Sequence, residues 1–115
     1  MKKYKELPRS PIEITVKMLD SRWKVLIIRE LLDGTKRFNE LKKCVKGITQ
    51  KVLIAKLREL EENEIISRKV YEQTPPKVEY SLTDVGYSLR SVIDSMCEWG
   101  KDYKKYVKLL EKYKN

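Results

Sequence analysis

The side chains that could carry chemistry in this chain are mainly cationic, and the types that enzymes use most are scarce. The 115 residues contain no histidine and only two cysteines, Cys44 and Cys97. Without histidine there is no Ser–His or Cys–His pair, no His-ligated metal and no histidine pH switch. The four glycines are not clustered into a phosphate-binding loop. We therefore expect no enzyme, no cofactor and no metal.

Positive charge is concentrated in one stretch of the chain. There are 26 Lys and Arg against 17 Asp and Glu, which gives a formal net charge of +9. Residues 36–58 hold eight cations and one acid, and four glutamates follow within 59–64. This distribution is expected where the partner is a polyanion. A solvated face of lysine-rich helices would look the same, so charge alone leaves both interpretations open.

Capping signals and apolar spacing then predict four helices. Ser10–Glu13 has the pattern of a capping box with Pro at the first helical position, and Asp20-Ser21 offers a cap for a second helix that Asp33-Gly34 ends. A third, short helix turns its apolar residues inward over 38–45. Residues 45–48 form a glycine-containing turn.

The fourth predicted helix, at about 50–62, has a clear inner and outer face. Thr49 is a good cap, and Leu53, Leu57 and Leu60 recur at helical spacing. The opposite face is polar and cationic near its start and acidic near its end. We expect Asn63 to end the helix in a left-handed conformation.

The apolar period changes after residue 64. The segment 64–71 is rich in β-formers, and 77–82 alternates between apolar and polar residues. The two prolines at 75 and 76 forbid regular pairing between these runs. We expect a hairpin with a rigid, protruding tip.

A long apolar stripe marks the C-terminal part. Thr83-Asp84 can begin a last helix, and apolar residues then recur at alternating steps of four and three, which is typical of a helix seam. Its members are Val85, Leu89, Val92, Met96, Trp99, Tyr103, Tyr106 and Leu110, with Tyr113 beyond. Regular spacing favours a core or dimerisation seam over a ligand pocket, and a pocket beside the seam is compatible with both. Gly100 is a candidate kink.

The order of these elements predicts a mainly α fold with a small β-hairpin wing (α+β), that is, a winged helix-turn-helix. We expect one domain over 1–115, with helices and wing at 10–82 and a dimerisation helix at 83–113. In this geometry the third helix crosses the phosphate backbone and the fourth enters the major groove.

The resemblance to a known family agrees with this layout. Residues 10–100 resemble HxlR-type winged helix-turn-helix regulators, distant relatives of the MarR group. The similarity rests on Trp23-Lys24, Ile28–Gly34, the Arg37–Leu41 run RFNEL, Gly47–Leu53, Leu57–Glu61, the Pro75–Thr83 run PPKVEYSLT and Trp99-Gly100. The resemblance implies homodimers on operator DNA, with the terminal helices forming the dimer contact. It specifies no effector.

Two positions depart from the family pattern. Thiol-sensing members have cysteine directly before the proline that opens the first helix, and this chain has Ser10 there. Glu64 stands where the family usually has glycine. Cys44 has the cationic neighbours Lys42, Lys43 and Lys46 in sequence, so redox sensing is one interpretation and an inert small side chain the other.

The predicted DNA contacts fall into three groups. Thr49, Gln50, Lys51 and Arg58 contact bases and phosphates, and the flanking cations hold phosphates only. Those flanking residues are Arg37, Lys42, Lys43 and Lys46. Arg68 and Lys77 are the wing contacts. For Lys69, a lysine that guards the hairpin edge is an equal alternative.

Taken together, the sequence predicts a cytoplasmic prokaryotic transcriptional regulator that binds an inverted-repeat operator in double-stranded DNA as a homodimer. Repression by blocking polymerase is favoured over activation, although the sequence carries no activation or repression signal of its own. A small-molecule effector stays open. We expect no membrane segment, because the apolar runs are too short. The alternative is a winged-helix protein-interaction module. The start of the fourth helix at Gln50-Lys51 discriminates between the two, because a pure interaction module would not need a polar, cationic start there.

Overall fold

Local capping and apolar spacing divide the chain into six helices and three strands in the computed structural model, which describes residues 7–114. In chain order they are α1 (Pro11–Met18), α2 (Arg22–Leu31), β1 (Lys36–Arg37), α3 (Phe38–Cys44), α4 (Gln50–Glu62), β2 (Ile66–Tyr71), β3 (Lys77–Leu82), α5 (Asp84–Tyr87) and α6 (Arg90–Tyr113). No helix within 7–114 combines the length and apolarity needed to cross a membrane. The mainly helical winged fold is confirmed.

Hydroxyl caps begin the helices where the sequence indicates. Ser10 Oγ accepts from the Glu13 amide at 3.5 Å, and Ser21 Oγ accepts from the Trp23 amide at 3.0 Å. Thr83 Oγ1 accepts from the Gly86 amide at 3.0 Å. Each cap satisfies an amide that has no partner inside its helix. The caps therefore set the boundaries of α1, α2 and α5.

The core forms where α2, α3 and α4 meet the sheet and the start of α6. Its aliphatic side chains are almost completely removed from water, and most of them come from α2, α3, α4, β2, β3 and α6. They include Ile27, Ile28, Leu31, Leu41, Val45, Leu53, Leu57, Leu60, Ile66, Leu82 and Ile93. The inner face predicted for α4 is confirmed.

The wing is a three-stranded antiparallel sheet and not a simple hairpin. The strand order is β1-β3-β2, with Arg37 opposite Glu79 and Lys69 opposite Glu79 on the other side. The two-residue strand β1 was not predicted, because two residues are too few to show an alternating pattern. Its pairing fixes the start of α3 beside the wing.

The end of α4 differs from the prediction. Asn63 keeps an ordinary φ of −86°, and the left-handed residue is Glu64, with φ of 61°. The Ile65 amide donates to the Leu60 carbonyl and the Glu64 amide donates to the Glu61 carbonyl, each at 3.0 Å. This bond pair is a Schellman motif, which requires the left-handed conformation one residue beyond the cap. The family's usual glycine at this position has the same physical basis.

The predicted single helix over 83–113 is wrong in one respect, because it is two helices. The Ser88 amide donates to Asp84 and Val85, the Leu89 amide donates to Gly86, and the Ser88 hydroxyl bonds the Val85 carbonyl. The bond to Asp84 is a regular helix bond, whereas the bonds to the Val85 and Gly86 carbonyls span one residue fewer. These tighter bonds end α5 before α6 begins. At Gly100, the predicted kink site, α6 continues without a break.

Candidate nucleic-acid interface

The turn between α3 and α4 positions the start of the candidate recognition helix. Gly47 has φ of 88°, a conformation that side-chain-bearing residues avoid, and Ile48 is buried after it. Thr49 Oγ1 then accepts from the Val52 amide at 3.2 Å. The cap leaves the first turn of α4 exposed, with its amide dipoles directed outward, a favourable environment for an anion.

A buried lysine holds α4 against α2. Lys24 is 2% exposed, and its Nζ lies 2.9 Å from Asp20 Oδ1 and 3.2 Å from Glu59 Oε1. Lys56 Nζ approaches the other Glu59 oxygen at 3.3 Å. A buried ammonium is tolerated only when paired in this way. The network therefore fixes the rotation of α4 that decides which side chains face outward.

These ion pairs lower the pKa of both carboxyls. The hydrogen bond from Lys24 is the main cause for Asp20 and outweighs the opposing effect of burial. For Glu59, burial is the largest single influence and acts to raise the pKa. The combined bonds and charges of Lys24 and Lys56 exceed it, so the pKa of Glu59 is also lowered. Both groups favour the ionised state in the fold.

The outer face of α4 presents the predicted base-contact residues. Gln50, Lys51 and Arg58 are all exposed. Gln50 and Arg58 also line a cleft of about 440 Å³ between α4 and the sheet, together with Arg68. The fourth predicted residue, Thr49, is exposed, with its hydroxyl oxygen bonded in the cap. The structure thus brings Gln50, Arg58 and Arg68 together at one opening, which Glu61 also lines, and leaves Thr49 and Lys51 exposed outside it.

The predicted phosphate contacts on and around α3 lie in the chain segment just before α4. Lys42, Lys43 and Lys46 are exposed at the end of α3 and in the turn that follows. Arg37 lies at the N-cap of α3, where its amide donates to Glu40 Oε1 at 2.9 Å. Its side chain lines a second depression, shared with Pro76 and Lys77 of the wing.

The two predicted wing cations do not lie together. Arg68 faces the cleft with Tyr80, its cross-strand neighbour, whereas Lys77 belongs to the opposite face of the sheet. Arg68 Nε lies 3.6 Å from Glu61 Oε1, so its charge is partly balanced by α4. Burial in the cleft raises the pKa of the Tyr80 phenol, against the opposing charge of Arg68. One wing cation therefore faces α4 and the other faces away.

The predicted dimerisation residues change environment along α5 and α6. Leu89 and Val92 are half-buried, and Leu89 packs on the core. Val85 is exposed on α5, and the later members Met96, Trp99, Tyr103, Tyr106 and Leu110 are exposed on α6. The Trp99 and Tyr103 rings stack with centroids 5.1 Å apart, and Tyr103 and Tyr106 follow at 6.3 Å. The result is a continuous exposed aromatic face.

The two cysteines are free and exposed, Cys44 in the last turn of α3 and Cys97 on α6. Within residues 7–114 no group of three or more His, Cys, Asp or Glu side chains is arranged to hold a metal ion. Cys44 shares the exposed end of α3 with Lys42 and Lys43.

Some residues that shape this surface were missed by sequence reasoning. Lys24 was not singled out, although it precedes buried Ile27 and Ile28 by three and four residues and so shares their helix face. Tyr71 and Glu79 were also missed. Counting alternate residues from Lys69 and Lys77 would have placed all four side chains on one face of the sheet.

Comparison with known proteins identifies the family. Residues 18–108 match the HxlR-like helix-turn-helix family model. The uncharacterized HTH-type transcriptional regulator YdeP of Bacillus subtilis (strain 168) is 48% identical over 101 residues, covering 88% of this chain and 79% of the relative. A regulator of Methanothermobacter thermautotrophicus is 44% identical over 92 residues, covering 80% of this chain and 70% of the relative.

Solved structures agree with the sequence relatives. The reduced form of the redox regulator HypR superimposes with a TM-score of 0.81 at 43% identity, covering 90% of this chain and 100% of that chain. The reduced form of the transcriptional regulator YodB from B. subtilis gives a TM-score of 0.72 at 40% identity, covering 84% and 95%. YdeP, the Methanothermobacter relative and YodB are named as transcriptional regulators, and HypR is named as a redox regulator. The chain therefore belongs to the HxlR-like helix-turn-helix family and is a transcriptional regulator of the HxlR/MarR type.

Proposed function

We propose that the protein is a sequence-specific repressor that binds an inverted-repeat operator in double-stranded DNA as a homodimer. The observation that carries this proposal is the exposed, capped start of α4, with Gln50, Lys51 and Arg58 on its outer face. The major groove has the width of one helix. Bound there, the arginine or lysine would grip guanine and Gln50 would pair with adenine, by the geometry of these groups.

The cations around α4 give affinity without reading sequence. Exposed positive charge is provided by Lys42, Lys43 and Lys46, at the end of α3 and in the following turn, and by Arg37 beside the wing. Contacts of this kind release counterions and fix the register of the helix on DNA. The acidic end of α4, where Glu61 and Glu62 lie, would point away from the phosphates.

The homodimer rests on the aromatic face of α6. Trp99 is 67% exposed and Tyr106 is 55% exposed. Exposing a contiguous aromatic surface of this kind to water is unfavourable for a monomer. The regular spacing of the stripe suits a helix seam. Ile12 and Val16 of α1 are exposed as well, at 76% and 60%, and add apolar surface near the other terminus. A two-fold dimer would place two α4 helices about 34–36 Å apart, in successive major grooves.

Repression and a cytoplasmic location complete the proposal. A dimer over a promoter excludes polymerase without needing any further surface on this small chain. Regulators of this family act on chromosomal DNA, so the protein would work in the cytoplasm of a prokaryotic cell.

The test is fluorescence-anisotropy binding across a salt series. The probes are a duplex selected from genomic DNA fragments and a scrambled duplex of the same composition. We expect at least about a thousandfold preference for the selected duplex. Arg58→Ala should weaken that binding by roughly 5- to 150-fold and relax specificity, whereas Lys42→Ala should weaken both duplexes alike. Lys108→Ala, a charge loss on α6, is the matched control and should change little.

Equal and weak binding to both duplexes would contradict the proposal. That outcome would favour the alternative, a protein-interaction module whose basic surface serves acidic partners. Specific binding that Arg58→Ala leaves unchanged would remove α4 from the role of recognition helix.

A further inference from the structure

The outer face of the wing sheet carries a compact group of charged and aromatic side chains. Strand pairing sets Arg37, Glu79 and Lys69 side by side across β1, β3 and β2, and sets Tyr71 opposite Lys77 in the next row. The inner face is marked by buried Ile66 and Leu82. Because side chains alternate along a strand, the charged group lies on the face turned away from the core.

Tyr71 is the centre of this group. The ammonium groups of Lys69 and Lys77 each lie 4.8 Å from the centroid of its ring. Its hydroxyl donates to Glu79 Oε1 at 2.9 Å, and Lys77 Nζ lies 3.3 Å from Glu79 Oε2. One aromatic ring and one carboxylate thus hold two lysine side chains that would otherwise sample many rotamers.

The ionised state of Glu79 is favoured by the same contacts. The hydrogen bond from Tyr71 is the main cause that lowers the pKa of this carboxyl, and Lys77 and Arg37 act in the same direction. Glu79 is therefore an ionised carboxylate at neutral pH, and it supplies the negative charge of the group.

The charges of the group do not balance. Arg37, Lys69 and Lys77 provide three cations against the single carboxylate of Glu79. Within residues 7–114 Lys69 has no carboxylate partner, and its ammonium rests on the tyrosine ring. Two ammonium groups held against one ring repel each other, and a bound anion reduces that repulsion. The excess charge and the held geometry both suit a phosphate ligand.

Arg68 makes a useful contrast on the other face of the same strand. Its guanidinium pairs with Glu61 of α4 at 3.6 Å. A DNA phosphate would have to compete with that carboxylate. Among the described residues Lys69 faces no such carboxylate, whereas Lys77 shares Glu79 with the Tyr71 hydroxyl. Arg37 and Lys77 line a common depression.

We infer that Tyr71 is a positioning residue that presents Lys69 and Lys77 to backbone phosphates of the operator duplex, beside the groove that α4 enters. This inference rests on the proposed function. It assigns the wing's phosphate contacts to the outer face of the sheet, with Lys69 and Lys77 as the contacting pair, and leaves Arg68 as a link between the wing and α4.

The test measures the salt slope of binding to the selected duplex, because the slope counts phosphate contacts. Tyr71→Leu removes the ring and changes no charge. We expect about tenfold weaker binding and a slope lower by roughly one to two contacts. Tyr71→Phe keeps the ring and should keep the slope. Val70→Ala, on the opposite face of the same strand, is the matched control for hairpin stability.

The possible results distinguish a failure of this inference from a failure of the proposed function. Wild-type slope and affinity in Tyr71→Leu would overturn the inference and leave the proposed function intact. An equal loss of slope in Val70→Ala would also overturn it, because hairpin stability would then be the cause. If the wild-type protein shows no salt-dependent DNA binding, both fall together.

Discussion

The winged half of the molecule (α1 to α5) and the C-terminal part of α6 from Trp99 onward both carry regularly spaced apolar residues. These residues are similar in type, but they are buried in the core of the winged half and exposed on α6. Ile27 and Leu53 are 0% exposed, whereas Trp99 is 67% and Tyr113 is 82% exposed. Both sets recur at helical spacing, so their pattern alone does not distinguish them. The difference teaches that one stripe stabilises the fold of a single chain, and the other is surface available for a second chain.

Truncation of one side chain from each half gives the sharpest test of this difference. Leu53→Ala removes a completely buried side chain and should lower the free energy of unfolding by about 2–5 kcal/mol. Trp99→Ala removes an exposed side chain and should act mainly on association, raising the dimer dissociation constant at least about tenfold. Urea unfolding at a fixed low protein concentration and sedimentation equilibrium measure the two effects.

The distinction between the two stripes would be contradicted if Trp99→Ala lowered the free energy of unfolding as much as Leu53→Ala does in dilute, monomeric samples. That result would place Trp99 in the core of the protomer.

A second pair of variants uses one glycine from each half. A Cβ on Gly86 would lie 2.2 Å from the Ile65 carbonyl oxygen, whereas one on Gly100 would meet nothing within 4 Å. Gly86→Ala must displace backbone and should lower the free energy of unfolding by about 2–3 kcal/mol. Gly100→Ala should raise it by up to about 1 kcal/mol, through helix propensity. Thermal and urea unfolding, followed by circular dichroism, provide both values.

Destabilisation by Gly100→Ala in a sample that remains dimeric would show that a partner approaches α6 closely at this point. Tolerance of Gly86→Ala would contradict the tight contact between α5 and the segment after α4.

A third, smaller effect concerns pH and only the winged half. The pKa values of Asp20 and Glu59 are lowered in the fold from ordinary values of 3.8 and 4.5. Their stabilising contribution is therefore complete above those ordinary values and is lost as pH falls through the lower folded-state values. Because both carboxylates are partly exposed, solvent screens their ion pairs. The expected loss in the free energy of unfolding is therefore about 1 kcal/mol.

Urea unfolding at pH 7 and near pH 3 measures this effect. The double variant Asp20→Asn, Glu59→Gln should lose less stability on acidification than the wild-type protein. Glu98→Gln, which removes an exposed carboxylate of α6, is the control and should follow the wild-type curve. Identical acid dependence in all three proteins would exclude the Lys24 network as a source of stability.

Much of the winged half could be predicted because its signals are local. A hydroxyl before an apolar repeat gives a cap, and the stripe at Leu53, Leu57 and Leu60 gives a buried face. The bounds of α4 agree with the prediction for this reason. Local signals also explain the confirmed order of helices, turn and wing.

The remaining features depend on contacts between distant segments. β1 exists because Arg37 pairs with Glu79, and Lys24 is buried because α4 supplies Glu59. Neither partner is visible from local spacing. The opposite orientations of Arg68 and Lys77 follow from the sheet register, which the Pro75-Pro76 loop obscured. The exposure of the apolar stripe on α6 also could not be predicted, because the spacing of apolar residues does not show whether their face is buried or exposed to solvent.

The central claim is that α6 joins two winged halves so that two α4 helices read one operator. Hydroxyl-radical footprinting of the protein on its selected duplex tests this claim directly. The account predicts protection patterns related by a dyad, over half-sites whose centres lie about 10–10.5 base pairs apart. A single unsymmetrical block, or a direct repeat of protection, would contradict it.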